Sequence, residues 1–226
     1  MTDGWNAVCT ALKVIFLIQW AVAMLQLFLV YHHGRLPLEL WKIKKGQMKP
    51  AKKANANQLQ MGHLLEPIAA YWYGAKTGNT VMEDTNLYQH ADHSYALANF
   101  DRRFTRASDN EPGILECKSC TYHKADEWAD GAIPLYYELQ LRFYLAVADV
   151  NIGAFSAVWG NNPDNDLAMP EIIRDKAKED MIFERLDEWI WSLRMINPRQ
   201  WRMLHQSLLW SHWQGFMVQV RRDFQQ

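Results

Sequence analysis

Two different spacings of hydrophobic residues follow one another along the chain, and each predicts a different kind of element. Apolar residues repeated every three or four positions predict amphipathic helices, whereas short apolar runs bounded by turn residues predict strands. The alternation of the two types favours an α/β domain with a central mixed sheet flanked by helices. The predicted helices span 61–78, 133–150 and 171–197, and the predicted strands span 95–104, 113–122 and 153–160.

The first of these helices has start and stop signals of its own. Pro67 is expected in its first turn, where a missing N–H costs little, and Gly78 is expected just beyond its end. Its apolar residues lie on one side, as in an amphipathic helix. These residues are Leu64, Leu65, Ile68, Ala69 and Trp72.

Composition narrows the class of protein. The 226 residues include 24 Lys+Arg and 25 Asp+Glu, so the net charge is −1. A hydrophobic fraction of 49% excludes a disordered chain. The near-neutral charge argues against a histone-like protein that coats nucleic acid by bulk attraction, but it is compatible with a local basic groove. Three cysteines make no disulfide framework, since their number is odd, and a reducing cytoplasm is the expected location.

A long apolar run near the start departs from this picture. Residues 14–31 carry no formal charge and are interrupted only by Gln19 and Gln26. The length of the run is the lower limit for a helix that crosses a membrane, and the lysines that follow would leave the rest of the chain in the cytoplasm. A buried helix or an oligomer contact has the same pattern. No cleavable signal peptide is expected, because no small-residue cleavage site follows the run.

Two carboxylates and a lysine form the most informative polar pattern. Asp101 ends one predicted strand, and Glu116 and Lys118 lie on the next. Because side chains alternate along a strand, Glu116 and Lys118 project to the same face, where Asp101 can meet them. A bound Mg²⁺ would offset the cost of burying two carboxylates and would suit phosphodiester hydrolysis. Taken alone, the same pattern is more typical of a cross-strand ion pair on an exposed strand.

The sequence around these residues resembles that of a known family. PLELWKIKKG, MGHLLEPIAAYWYGAKTG, LANFDRR, GILECKS, Trp128 and IPLYYELQLRFYLAV occur in the order found in the lambda-exonuclease-like nucleases, the YqaJ-type viral recombinase family. This family is a branch of the PD-(D/E)xK nucleases, so the resemblance implies a restriction-endonuclease-like core. The resemblance runs from about residue 36 to about residue 198.

The resemblance also implies roles for individual residues. It places Asp101, Glu116 and Glu66 at a metal site that holds Mg²⁺, with Mn²⁺ as an alternative. It makes Lys118, Glu116, Gln140 and Glu66 the catalytic set, in which Lys118 and Gln140 orient the attacking water. Glu66 and Gln140 are assigned by the family alone, since each would otherwise be an ordinary polar residue of a helix.

The implied activity is metal-dependent digestion of double-stranded DNA from the 5′ end of one strand, in phage-type recombination. Relatives form a ring-shaped trimer around DNA and work with a single-strand annealing protein, so both a homo-oligomer and that partner are expected. Arg102, Arg103 and Arg106 are candidate phosphate contacts, although an exposed arginine run is more often a solvated face. Asp109 competes with Asp101 for the metal role, but it lies in a predicted turn, where Asp serves turn chemistry.

Both ends depart from the family pattern. The sequence predicts an atypical apolar segment at 1–35, a nuclease domain at 36–198 and a Trp-rich tail at 199–226. The first segment lacks the Ser-Asp pair of the family's DNA-end-binding segment, and one hypothesis is that a shifted reading frame produced one or both ends. Two alternatives to this interpretation therefore stay open: an inactive or DNA-binding remnant of such a nuclease, and a membrane-anchored nuclease domain.

Overall fold

A mixed sheet forms the centre of the part of the chain that the computed structural model describes, which comprises residues 47–49 and 56–195. Its strands are β1 (Thr80–Glu83), β4 (Arg102–Thr105), β5 (Pro112–Ser119), β6 (Ile152–Val158), β7 (Leu167–Ala168) and β8 (Glu171–Ile173), and a separate hairpin pairs β2 (Tyr88–Gln89) with β3 (Leu97–Ala98). The order across the sheet is β1-β4-β5-β6-β7, and β8 also pairs with β6. The central β5–β6 pair is parallel and the other pairs are antiparallel.

Helices cover both faces of this sheet. The helices are α1 (Ala56–Thr77), α2 (Leu135–Ala148) and α3 (Lys176–Met195), and a 3₁₀-helical segment spans Tyr122–Gly131. On one face, α1 contacts β1, β5 and β6, whereas α2 covers the other face and in turn contacts α3. The parallel β5–β6 pair is joined through α2, the crossover that parallel strands require. The predicted arrangement, a mixed sheet flanked by helices, is confirmed.

The start of α1 differs from the prediction. The helix begins at Ala56, so Pro67 lies in its interior rather than in its first turn. An interior proline removes one helical hydrogen bond and costs about 3 kcal/mol in an isolated helix, so burial against the sheet has to offset that cost. The end of the helix is as predicted: Gly78 adopts a φ of 74° and its N–H bonds to the carbonyl of Gly74.

The predicted apolar side of α1 is only partly the buried side. Leu64 is 63% exposed and Ile68 is 48% exposed, whereas Ala69, Ala70 and Tyr73 are buried. The small side chains of the alanines let the helix approach the sheet closely, and the hydroxyl of Ser156 on β6 donates to the carbonyl of Ala69 at 2.7 Å. Close backbone approach, rather than side-chain size, determines the packed face.

The helix α2 has no exposed side over most of its length. Every residue from Leu139 to Val147 is buried, including Gln140 and Arg142, because α2 lies between the sheet and α3. A Cβ at Gly153 would lie 2.8 Å from the Leu141 side chain, so this glycine allows α2 to pack tightly on β6. Asp149, in the left-handed conformation with a φ of 53°, ends the helix.

Two predicted elements are interrupted in the structure. The predicted strand 95–104 is divided into β3 and β4, and the predicted helix 171–197 begins as the edge strand β8 before α3 starts at Lys176. The division between β3 and β4 falls at 99–101, so Asp101 precedes a strand instead of ending one.

The predicted ends of the chain lie outside the described residues. These predictions concern the apolar run 14–31 and the tail 199–226. Among the helices that the structure does describe, none combines the length and the apolar composition needed to span a membrane.

Candidate active site

The strand β5 sends Leu115 and Cys117 to one face of the sheet and Glu116 and Lys118 to the other, as its alternation predicted. Leu115 and Cys117 pack with Ala69 and Tyr73 of α1. Glu116 projects to the other face, where it meets α2. Both faces are buried at this position, so the carboxylate of Glu116 is held inside the protein with its side chain only 4% exposed.

Asp101 reaches the same place from the neighbouring strand. β4 pairs with β5 through Arg102 and Leu115, so Asp101 is the next residue along and comes beside Glu116. Its Oδ2 accepts a 2.8 Å hydrogen bond from the backbone N–H of Cys117. Burial and the negative charge of Glu116 raise the pKa of Asp101 to about 8, against the opposing effects of Lys118 and of the Cys117 N–H. Two carboxyl groups are thus held together in a site that disfavours the charge of Asp101.

A hydrogen-bond network connects Glu116 to α2. Glu116 Oε1 accepts from Lys118 Nζ at 2.5 Å and from Gln140 Nε2 at 2.6 Å. Gln140 Oε1 accepts a longer bond from Lys118 Nζ at 3.4 Å, and Gln140 Nε2 also donates to the hydroxyl of Tyr144 at 3.0 Å. The orientation of the Gln140 amide follows from its partners, because its oxygen faces a cation and its nitrogen faces a carboxylate.

The carboxyl groups around Lys118 stabilise its charged form. Burial lowers the pKa of Lys118, but the negative charges of Glu116 and Asp101 outweigh it, so the pKa of Lys118 is raised and the ammonium is retained. Burial and the charge of Glu116 also raise the pKa of Tyr144, which therefore stays a neutral phenol.

Two aromatic residues of the site were absent from the sequence prediction. Tyr144 contacts Gln140, and the ring centroid of Tyr137 lies 4.8 Å from Lys118 Nζ. Helical spacing was the available signal. Tyr137 lies three residues before Gln140 and Tyr144 lies four residues after it, so all three are on the same side of α2.

Glu66 approaches the site from α1, on the opposite side of the sheet. Its side chain is 28% exposed, and its Oε1 lies 2.9 Å from Nδ1 of His63, one helical turn away. Its charge adds a small raising effect to the pKa of Asp101, after the larger effects of burial and Glu116. His63 was also absent from the sequence prediction, although its spacing from Glu66 signals the contact.

The donor set fits a divalent cation in one respect and is incomplete in another. Oε2 of Glu116 is buried and has no hydrogen-bond partner among the described residues, and it belongs to the same carboxyl pair as Asp101. Mg²⁺ requires only one or two carboxylates, with water and phosphate oxygens as its other ligands. Over 47–49 and 56–195, however, no three His, Cys, Asp or Glu side chains are grouped to hold a metal ion. Asp101 and Glu116 are therefore the two carboxyl groups that lie together, and Glu66 stands apart from them.

The predicted phosphate contacts already have protein partners. Arg102 Nη1 donates to the carbonyl of Asp101 at 2.6 Å, and Arg103 Nη1 donates to the hydroxyl of Tyr88 at 3.1 Å. Arg106 forms two hydrogen bonds with Asp109 in the turn between β4 and β5. Asp109 also accepts from the backbone N–H of Glu111, so it serves the turn as predicted.

Comparison with known proteins gives a consistent family. Residues 29–151 match the YqaJ-like viral recombinase domain. The uncharacterised protein YqaJ of Bacillus subtilis (strain 168) is 32% identical over 152 residues, which make up 66% of this chain and 45% of that protein. The chain thus spans less than half the length of this curated relative.

Solved structures share the fold at low sequence identity. An alkaline exonuclease from Laribacter hongkongensis, LHK-Exo, matches 69% of this chain and 76% of its own, with 22% identity and a TM-score of 0.57. Its complex with dAMP matches 83% and 96%, with 18% identity and a TM-score of 0.61. A phage-related exonuclease from Haemophilus somnus 129PT matches 67% and 76%, with 16% identity and a TM-score of 0.53. The predicted restriction-endonuclease-like core is confirmed by these likenesses.

Proposed function

The chain belongs to the YqaJ-like viral recombinase domain family, and from this premise we propose that it is a metal-dependent deoxyribonuclease acting on double-stranded DNA. The observation that carries the proposal is the buried pair Asp101 and Glu116 beside the ammonium of Lys118. Holding two carboxylates together in this way is unfavourable unless a cation joins them. The same residue types suit phosphodiester hydrolysis, in which negative charge develops on the phosphate.

Asp101 and Glu116 are the proposed metal ligands, with Glu66 as an additional carboxylate near the site. A bound Mg²⁺, or Mn²⁺ as an alternative, would polarise the phosphate and lower the pKa of a water molecule. Lys118 keeps its proton and stabilises charge on the phosphate or directs the water. Gln140 holds Lys118 and Glu116 in register through its amide. Arg102 and Arg103 are the proposed contacts to DNA phosphates.

The finer part of the proposal is a 5′ to 3′ exonuclease of phage-type recombination. It is supported by the exonuclease names of the solved relatives and by the nucleotide bound to one of them. We also propose a homo-oligomer and an annealing-protein partner, and we place the protein in the cytoplasm. Sedimentation of the full chain with and without duplex DNA tests the oligomer.

The test is digestion of linear duplex DNA labelled at a 5′ end, with Mg²⁺, by wild type, Lys118→Ala and Lys124→Ala. Lys124 is a matched control, because it is exposed and its ion pair with Glu127 lies at the surface. We expect wild type and Lys124→Ala to release the label and Lys118→Ala to lose at least about 10²-fold in rate. Absence of release by folded wild type would favour an inactive or DNA-binding remnant.

A second arm separates metal binding from chemistry. Mg²⁺ should raise the melting temperature of wild type and of Lys118→Ala, because a ligand that binds only the folded state stabilises it. Asp101→Asn should abolish that gain. An equal gain in Asp101→Asn would contradict the assignment of Asp101 as a ligand.

A further inference from the structure

Among the described residues, the ammonium of Lys118 contacts Glu116, Gln140 and the ring of Tyr137. Glu116 Oε1 lies at 2.5 Å, but Glu116 is a proposed metal ligand, and a cation bound to it would neutralise part of the charge that attracts Lys118. Gln140 is not a proposed ligand, but its Oε1 lies at 3.4 Å from the ammonium, and its amide also donates to Glu116 Oε1 at 2.6 Å. A second group that binds no metal is therefore needed to hold the lysine.

Tyr137 offers such a group. The centroid of its ring lies 4.8 Å from Lys118 Nζ, within the distance at which an ammonium is attracted to an aromatic face. The Lys118 side chain is only 17% exposed, so water competes weakly for the ammonium. The neutral ring supplies attraction that does not depend on the charge state of the carboxylates.

The packing around Tyr137 keeps its ring in place. Trp128, which is buried, stacks on it with centroids 5.6 Å apart and planes at 27°. Phe155 of β6 lies 6.3 Å from it on the sheet side. A ring fixed by its neighbours can orient a flexible lysine, which otherwise has many rotamers.

We propose that Tyr137 is a positioning residue that holds the Lys118 ammonium on its ring face and keeps it directed at the site when Glu116 engages a metal. This inference rests on the proposed nuclease function and adds to it a residue outside the catalytic set. The ring, and not the phenol hydroxyl, carries the role.

Tyr122, in the 3₁₀-helical segment, provides a control. It is 71% exposed, whereas the ring of Tyr136 packs on Tyr137 with centroids 4.1 Å apart, so a change at Tyr122 leaves the packing around Tyr137 in place. The variants are Tyr137→Leu, which removes the ring, Tyr137→Phe, which keeps it, and Tyr122→Leu. Tyr137→Met replaces Tyr137→Leu if the latter fails to fold.

The first readout needs no activity. In protein labelled with ¹³C at the lysine ε carbon, the Lys118 ε protons should be shifted upfield by the Tyr137 ring, with the signal assigned by its loss in Lys118→Met. We expect the upfield shift to disappear in Tyr137→Leu and to persist in Tyr137→Phe and Tyr122→Leu. A shift that survives in Tyr137→Leu overturns the proposal, whether or not the protein digests DNA.

The second readout is steady-state digestion of duplex DNA with Mg²⁺. Tyr137→Leu should lower kcat about tenfold with little change in KM, because a desolvated cation–π contact has about that worth. Tyr137→Phe and Tyr122→Leu should stay close to wild type. Equal losses in Tyr137→Phe and Tyr137→Leu would assign the effect to the hydroxyl and overturn the ring-face role. An inactive wild type with a normal ring-current pattern would refute the nuclease and leave the contact established.

Discussion

Gln140 on α2 and Glu66 on α1 were assigned to one site from the same resemblance, yet they lie in opposite surroundings. Gln140 is 4% exposed and bonds to Glu116, Lys118 and Tyr144, which come from two different elements. The side chain of Glu66 is 28% exposed, and its hydrogen bond is to His63 of its own helix. One residue is fixed by the tertiary structure, and the other is held locally.

The difference between Gln140 and Glu66 follows from how much water reaches each side chain. On the α2 side the polar atoms are shut off from water, and an unpaired buried polar atom is costly, so nearly every one must find a partner when the chain folds. Around Glu66, whose side chain is partly exposed, water can replace a lost partner. Residues of the buried network should therefore affect activity and stability together, whereas Glu66 should affect activity alone.

The largest effect is expected for Gln140→Leu. It removes the amide that joins Glu116 to Lys118 and leaves the Tyr144 hydroxyl without that donor. We expect the digestion rate to fall by about 10²-fold or more and the free energy of unfolding to fall by about 1–3 kcal/mol. Digestion assays and urea titration measure the two effects. Gln60→Leu on the exposed part of α1 is the control and should change neither.

An intermediate effect is expected for Glu66→Gln. Loss of the carboxylate should reduce activity or Mg²⁺ affinity by about tenfold, a loss typical of groups just outside the metal's immediate ligands. The free energy of unfolding should change by no more than about 0.5 kcal/mol, because the site is partly solvated. Glu184→Gln, an exposed change on α3, is the control. A stability loss as large as that of Gln140→Leu would remove the distinction between the two sides.

The smallest effect is expected for His63→Ala. The His63–Glu66 pair is an exposed contact within one helix, and such pairs contribute about 0–1 kcal/mol. The rate of digestion should stay within about threefold of wild type. A loss greater than that of Glu66→Gln would mean that His63 acts on the DNA itself and not through Glu66. Parallel assays of the two single variants and the double variant decide between these roles.

The sequence predicted the part of the site that depends on local geometry. Glu116 and Lys118 share a face because side chains alternate along any strand, and no tertiary information is needed to say so. The same holds for the end of α1 at Gly78. The interior position of Pro67 was not predictable from local rules, because its cost is offset by burial of Ala69, Ala70 and Tyr73 on the sheet.

The position of Asp101 could be predicted only in part from the sequence, because it also depends on strand pairing. Its chain neighbours indicated an extended segment, but the division of that segment into β3 and β4 depends on which strands it pairs with. Once Arg102 pairs with Leu115, Asp101 is brought to Glu116 and to the N–H of Cys117. Strand pairing depends on contacts between residues far apart in the sequence, and the spacing of hydrophobic residues within one segment does not specify it.

By itself the sequence determined the alternation of β5, the helical spacing of α2 and the set of polar residues available for chemistry. The tertiary structure decided which of those polar residues are buried away from water. Gln140 and Tyr144 became a buried network because α2 lies between the sheet and α3, while Glu66 kept contact with water at the edge of α1. Local spacing depends on bond geometry alone, but desolvation depends on every element that packs around a residue, and it is desolvation that sets the strength of the charges in this site.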